Sequence, residues 1–321
     1  MEPIKVGKLR IYPVIFPVHH QLKSYNCYVV ENGNRLYLID AGISNNDFSD
    51  YFTQTLHTCG FTLKDLSGIF ITHHHYDHVG QVNRIVKEAN IPVYAHEKAI
   101  PRLKRDPVFL QRRVDFFKSL YEKMGCGEEG LQQVNNLKNA IVKNKHTAID
   151  ADIIPLENQI GPFHVIEVSG HSPDQVAFYS EESKILFGGD LLIHHISSNA
   201  FIEPDENGIR IQSLLEQIAS LQKCLKLSMD YVFSGHGITI EQPKQLIETR
   251  LDNVHRKAMK ILVLIQSGST TASSIAKKYY KKTYETQFSL VMSEIIGHLD
   301  YLEANSYVSK EKIKGVFHYY S

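Results

Sequence analysis

The stretch Thr72-His73-His74-His75-Tyr76-Asp77-His78-Val79-Gly80 sets His73, His75, Asp77 and His78 at His-x-His-x-Asp-His spacing. The apolar run Ile69-Phe70-Ile71 ahead of it reads as a strand, and Gly80 closes the loop. Imidazoles and a carboxylate clustered at a strand end predict a metal-binding loop at a sheet edge. Neutral nitrogen and carboxylate oxygen suit Zn²⁺ and also admit Mn²⁺ and Fe²⁺. Taken alone, the stretch is also compatible with a His-rich solvated loop, so its context decides.

Three later loops supply that context. Ser169-Gly170-His171-Ser172 follows the apolar run 165–168, Gly188-Gly189-Asp190 follows Ile185-Leu186-Phe187, and Ser234-Gly235-His236-Gly237 follows Tyr231-Val232-Phe233. Each presents one ligand-type side chain directly after a short strand and beside glycine, which lets the backbone turn sharply and approach closely. Four such strand ends in one chain point to one shared site.

Together with a fifth motif, Leu38-Ile39-Asp40-Ala41-Gly42, these residues make the chain resemble the metallo-β-lactamase superfamily in its glyoxalase II-like and RNase Z-like form. The resemblance implies an α+β fold, a four-layer αββα sandwich with the metal site at one edge. It implies that His73, His75 and His171 hold one metal, that Asp77, His78 and His236 hold a second, and that Asp190 bridges both. Asp40 would orient a ligand imidazole from behind. The implied activity is that of a dinuclear-metal hydrolase carrying two Zn²⁺, with Mn²⁺ or Fe²⁺ as substitutes. A metal-bound hydroxide, held by the catalytic residues Asp77 and Asp190, would attack an activated carbonyl in a thioester or lactone. Histidine at position 75 fits a hydrolytic zinc site, because relatives with oxygen chemistry on two irons carry glutamate there.

Composition narrows the remaining choices. The 321 residues are 43% hydrophobic and 22% charged, ordinary for a soluble globular protein with one large core and a small second one. No apolar run approaches the roughly 20 residues needed to span a bilayer. Met1-Glu2-Pro3-Ile4-Lys5 has neither a basic nor an apolar leader region. Cys27, Cys59, Cys126 and Cys224 are scattered, without a Cys-x-x-Cys pair, and fit a reducing, cytoplasmic location. Net charge is zero, yet residues 250–321 carry eleven Lys and Arg against six Asp and Glu. Bulk attraction to nucleic acid is therefore not expected.

Periodicity predicts two halves of strands followed by helix. Short β-branched or aromatic runs occur at 9–12, 26–30 and 36–39, with a hairpin turn at Glu31-Asn32-Gly33-Asn34. Helical spacing follows over 79–90, then a strand at 93–96. Strands at 163–168, 176–179, 185–187 and 231–233 and a helix over 209–227 form the second half. Two sheets packed face to face with helices outside satisfy this pattern.

Residues 97–150 interrupt it. Helices expected at 108–124 and 131–142, separated by Gly125-Cys126-Gly127, make this segment a helical insertion and a candidate lid over the metal cleft. Phe109, Phe116, Phe117 and Tyr121 would then either face substrate or pack the insertion onto the body. Residues 1–248 are thus expected to form the catalytic domain and 249–321 a separate unit. The latter has helices at 249–266, 271–279 and 285–304 and two strands flanking Lys310–Gly315, and it resembles the winged-helix domain appended to β-lactamase-like-protein-2-type members. Its third helix carries Glu285, Glu294, His298, Asp300 and Glu303 and no Lys or Arg, which favours packing or substrate gating over DNA contact.

Two rivals share these motifs. One is a metal-dependent endoribonuclease or other phosphodiesterase, and the other a non-enzymatic, ligand-sensing DNA-binding regulator. The favoured partner is a small-molecule substrate, with nucleic acid disfavoured, no membrane, and oligomeric state left open. His74 is expected to turn away from His73 and His75, because side chains alternate along an extended backbone. His20 and His195 are the remaining histidines expected near the cleft rim.

Overall fold

The computed structural model describes residues 2–321. Seven strands form one sheet in chain order: β1 (Ile4–Val6), β2 (Leu9–Pro17), β3 (Ser24–Asn32), β4 (Arg35–Ile39), β5 (Gly68–Phe70), β6 (Val93–Ala95) and β7 (Ile153–Pro155). β1 to β4 are antiparallel, and β4 to β7 run parallel. The second sheet has the order β12-β11-β10-β9-β8, with β8 (Gln159–Ile160), β9 (Phe163–Glu167), β10 (Val176–Ser180), β11 (Ile185–Gly189) and β12 (Tyr231–Ser234). β11 and β12 are parallel.

The alternation of strand side chains builds the layers. Tyr28 and Val30 of β3 meet Phe70, Phe163, Phe178 and Phe187 between the sheets. Cys27 and Val29, one residue out of phase, face the other way into a core with Phe48, Phe52, Val82 and Ile85. The latter four belong to α1 (Asn46–Thr58) and α3 (Val82–Ala89). In β10, Val176 and Phe178 point between the sheets, while Ala177 and Tyr179 pack with Leu221 and Cys224 of α7 (Ser213–Leu225). Strands buried on both faces are thus sandwiched by helices, giving the expected αββα order.

Two expected helices are shorter than predicted. The 79–90 segment divides into α2 (Tyr76–Val79) and α3, because a Cβ at Gly80 would lie 2.2 Å from Ser44 N. The loop after β4 passes that close, with Gly80 N–H donating to Gly42 O at 2.7 Å. The 209–227 helix starts only at Ser213. The Asp205 carboxylate accepts the backbone N–H groups of Asn207 and Ile209 in a turn that competes with helix, and Ile209 is left exposed.

The insertion contains α4 (Ile100–Leu103), α5 (Pro107–Lys123) and α6 (Gly127–Lys143). The break between the last two falls at Gly125 and Gly127, both at positive φ. The C-terminal segment contains α8 (Pro243–Gln266), α9 (Ala272–Tyr280), α10 (Lys282–Thr286), α11 (Phe288–Ala304) and the hairpin β13 (Ser309–Ile313)–β14 (Val316–Tyr320). α8 starts six residues before the expected Thr249, with a proline in its first turn, and crosses position 248 without a break. The two segments share one core. Val114, Leu120, Tyr121 and Val134 pack with Ile261, Ile275, Tyr284, Ile295 and Leu299, and Phe116 and Phe117 lie against the same cluster. No helix among the described residues is long and apolar enough to cross a membrane.

Candidate metal centre

The expected ligands arrive from four strand ends on one rim. β5 leads to His73, His75, Asp77 and His78, β9 to His171, β11 to Asp190 and β12 to His236. Their donor atoms converge in three overlapping groups, His73–His75–His171, His73–His78–Asp190 and Asp77–His78–His236, each within 4.8 Å. His75 Nδ1 lies 3.0 Å from His73 Nε2 and 2.9 Å from His171 Nε2. Asp190 lies between the two sides, 3.1 Å from His236 Nε2, 3.3 Å from His78 Nε2 and 3.5 Å from His171 Nε2. Asp77 Oδ2 is 3.6 Å from His236 Nε2.

The far ring nitrogens are tied down, which fixes the tautomers. His236 Nδ1 donates to Ser24 O and His171 Nδ1 to Asn199 O, both at 2.8 Å. His78 Nδ1 donates to Asp40 Oδ2 at 2.8 Å. Each therefore turns Nε2 inward, as a ligand requires. The His236 loop is held by Asn26, whose amide donates to Ser234 O and Gly237 O at 2.9 Å each.

Electrostatics fit a cation. Burial, and then the neighbouring imidazoles, push His73 and His75 well below the ordinary histidine pKa, so both present neutral lone pairs. Burial opposes a charge on His78, yet Asp190 and Asp40 raise its pKa well above the usual value. Burial would also raise Asp190, but His236 and His78 hold it ionised. His78 Nε2 and Asp190 Oδ1 are buried without a hydrogen-bond partner. They lie 3.3 Å apart without a well-formed hydrogen bond between them, and a divalent ion would partner both.

His74 turns away as expected, with Nδ1 2.7 Å from Asp174 Oδ1. Asp174 also accepts the His74 backbone N–H at 2.8 Å and so clamps the metal loop. Burial would raise its carboxyl pKa, but His74 holds it far below the usual range. Sequence reading passed over Asp174, although it stands only three residues after His171 in Gly-His-Ser-Pro-Asp. It also passed over Phe201, whose ring lies 5.4 Å from that of His75 and 5.3 Å from that of His171. His20 lines the cleft beside Tyr25, whereas His195 Nε2 donates to Gln21 O at 2.8 Å on the rim.

The ligands open into a cleft of about 1090 Å³. Its opposite wall comes from the C-terminal segment, through Tyr280, Thr283, Gln287, Leu290 and Val291. Phe109, Phe116, Phe117 and Tyr121 of the insertion are not among its lining residues. The last three pack in the shared core, and Phe109 lies under the Arg102 guanidinium. α11 is enclosed, with Val291 through Leu302 largely buried and Asp300 paired with Arg210. A helix so covered cannot enter a nucleic-acid groove.

Fold and site together define a family, and the sequence agrees. A profile of the Metallo-beta-lactamase superfamily matches residues 21–236, more than half of the chain, and the chain belongs to that family. It is 28% identical over 286 residues to the probable metallo-hydrolase YqjP of Bacillus subtilis, a match that spans 88% of each chain. It is 21% identical over 251 residues to an atrochrysone carboxyl ACP thioesterase of Aspergillus fumigatus, covering 78% of this chain and 62% of that one. A metallo-beta-lactamase family protein from Thermus thermophilus superposes with a TM-score of 0.76 over 97% of this chain and 98% of its own, at 20% identity. The fold likeness therefore includes the C-terminal segment. The chain is a metal-dependent hydrolase of this superfamily.

Proposed function

We propose that the protein hydrolyses thioesters. The observation that carries this reading is the cleft itself, polar where Asp77, Asp190 and the histidines converge and apolar opposite, where Ile193, Ile196, Phe201, Leu290 and Val291 face it. An acyl chain fits the apolar side while its carbonyl reaches the ligands. The likeness to a named thioesterase supports the same class. His73, His75 and His171 would hold one zinc ion, Asp77, His78 and His236 a second, with Asp190 shared. Two bound ions supply an activated water at neutral pH and polarise the carbonyl oxygen. With the metals bound, Asp77 and Asp190 would orient such a water, and either carboxylate would be placed to accept its proton. Asp40, Ser24 and Asn199 keep the imidazoles in the ligating tautomer. The C-terminal helices act as the substrate-selecting wall. Four cysteines without a disulfide fit a reducing compartment such as the cytoplasm.

The test is a hydrolysis panel of acyl thioesters, lactones, a phosphodiester and single-stranded RNA, run on metal-analysed protein beside Asp77→Ala. Thioester turnover at about two zinc per chain, lost in the variant, is expected. Phosphodiester cleavage alone would replace this reading with the nuclease one.

A further inference from the structure

A second chamber of about 310 Å³ adjoins the metal cleft. Both are lined by Ile193, Ser197 and Ser198 and by the Lys257–Glu294 ion pair, so the two spaces meet at this partition. The chamber differs in character from the cleft. Arg250, Arg256, Lys257 and Lys260 of α8 all line it, against one carboxylate, Glu294, which is already engaged by Lys257. Arg256 and Lys260 have no polar partner among the described residues. Arg250 donates through Nη2 to Ile193 O at 2.8 Å and His194 O at 2.9 Å, and its Nε is buried without a partner.

His298 supplies an independent sign of a ligand. It lines the same chamber and is 2% exposed. Its Nδ1–H donates to Glu294 O at 2.7 Å, which leaves Nε2 as a buried lone pair with no partner. Burial keeps this ring neutral. A buried acceptor beside a surplus of guanidinium and ammonium groups matches a phosphate that retains one hydroxyl. Its oxygens accept from the cations, and its P–OH donates to Nε2. A phosphomonoester keeps that proton up to about pH 6, and arginine forks suit its geometry.

We propose that this chamber binds a phosphate group on the leaving thiol, so that the substrate is a thioester of a phosphate-bearing thiol. The proposal rests on the thioesterase reading and deepens it. The acyl part lies on the apolar wall of the cleft, the thioester at the metal ligands, and the phosphate beyond the Lys257–Glu294 partition. Coenzyme A carries this chemistry in its ribose phosphomonoester, whereas the phosphopantetheine phosphate of a carrier protein is a diester with no P–OH to donate.

The test is a titration of the zinc-loaded full chain with coenzyme A and with pantetheine, which has the same thiol arm without phosphate. It is repeated on the double variant R256E/K260E, whose two sites are exposed, so the core is untouched. Coenzyme A should bind about tenfold more tightly than pantetheine to the natural chain, and this preference should vanish in the double variant. Equal binding of the two thiols, or a preference that survives the double variant, overturns the proposal. A phosphopantetheinylated carrier protein that binds the natural chain but not the variant, with coenzyme A no tighter than pantetheine, overturns it in favour of a phosphodiester held by the cations alone. Single-stranded RNA that binds through these two residues, with coenzyme A failing to bind, overturns it in favour of a nucleic-acid backbone. Binding is read without turnover. Phosphate-dependent binding with no hydrolysis of acyl-coenzyme A would therefore sink the thioesterase reading while upholding the chamber as a phosphate site.

Discussion

Asp40 Oδ2 accepts the Nδ1–H of His78 at 2.8 Å from a backbone held at φ +58°. The same carboxylate accepts the N–H and the hydroxyl of Thr72, each at 2.8 Å. Aspartate is among the few side chains that tolerate this left-handed conformation. Asp40→Ala should therefore lower metal affinity by about 10- to 100-fold, with Asp40→Asn less affected. Competition against a zinc-binding dye measures this. Unchanged affinity in the alanine variant would remove Asp40 from the site.

Gly235 is required by space. A Cβ there would lie 2.5 Å from Asp190 Oδ1 and 2.6 Å from His78 Cε1. Gly235→Ala is expected to fold and to lose about 100-fold in activity through displaced ligands. Metal content should fall with it. A fully loaded, fully active alanine variant would show that the loop yields.

Metal removal should be visible as lost stability. His78 Nε2 and Asp190 Oδ1 lie 3.3 Å apart without a well-formed hydrogen bond, and a bound cation would partner both. At a free metal concentration of 100 times Kd, binding contributes about 2.7 kcal/mol. A chelator should then lower Tm by roughly 5 °C, and excess zinc should restore it. A Tm indifferent to both would mean that the cluster is stable without metal.

Arg113 of α5 pairs with the buried Glu203, reaching Oε2 through Nε at 2.7 Å and Oε1 through Nη2. Burial alone would raise the Glu203 pKa, but Arg113 and Arg102 hold it below the ordinary glutamate value. The pair therefore stabilises the fold at any pH above the unfolded value of about 4.3, and this contribution is lost as pH falls through the lower folded value. In Arg113→Met the hydrogen-bonded counter-charge is gone, only Arg102 remains at 3.6 Å, and burial pushes the Glu203 pKa up. The variant should lose about 3 kcal/mol near pH 7. Its deficit should shrink as pH drops towards 5 and Glu203 protonates. Urea melts at both pH values decide, and a deficit of constant size would exclude charge as its origin.

The convergence of these histidines and aspartates, and the strands that carry them, were legible because each motif is local, an apolar run, a glycine and a donor-bearing side chain. The wall facing them was not. Tyr280, Gln287 and Leu290 lie some 200 residues from His73 in sequence, and no periodicity links a helix face to a cleft it borders. The imidazole partners Ser24 O and Asn199 O are backbone atoms and leave no side-chain signature. The aromatics of 109–121 carry a helical pattern, but such a pattern does not distinguish a lid from a core: Phe116, Phe117 and Tyr121 pack against the C-terminal helices, and Phe117 and Tyr121 also border a smaller cavity that reaches His75.

Val114 and Tyr121 share their core with Ile261, Ile295 and Leu299, although the two segments are separated in sequence by the whole second sheet. Neither segment can then be treated as a detachable accessory. Shortening the insertion would strip one side of the C-terminal helices, and those helices carry the cleft wall. A graft that trades this wall for a relative's, to change what the site accepts, would have to move residues 100–148 and 243–320 together.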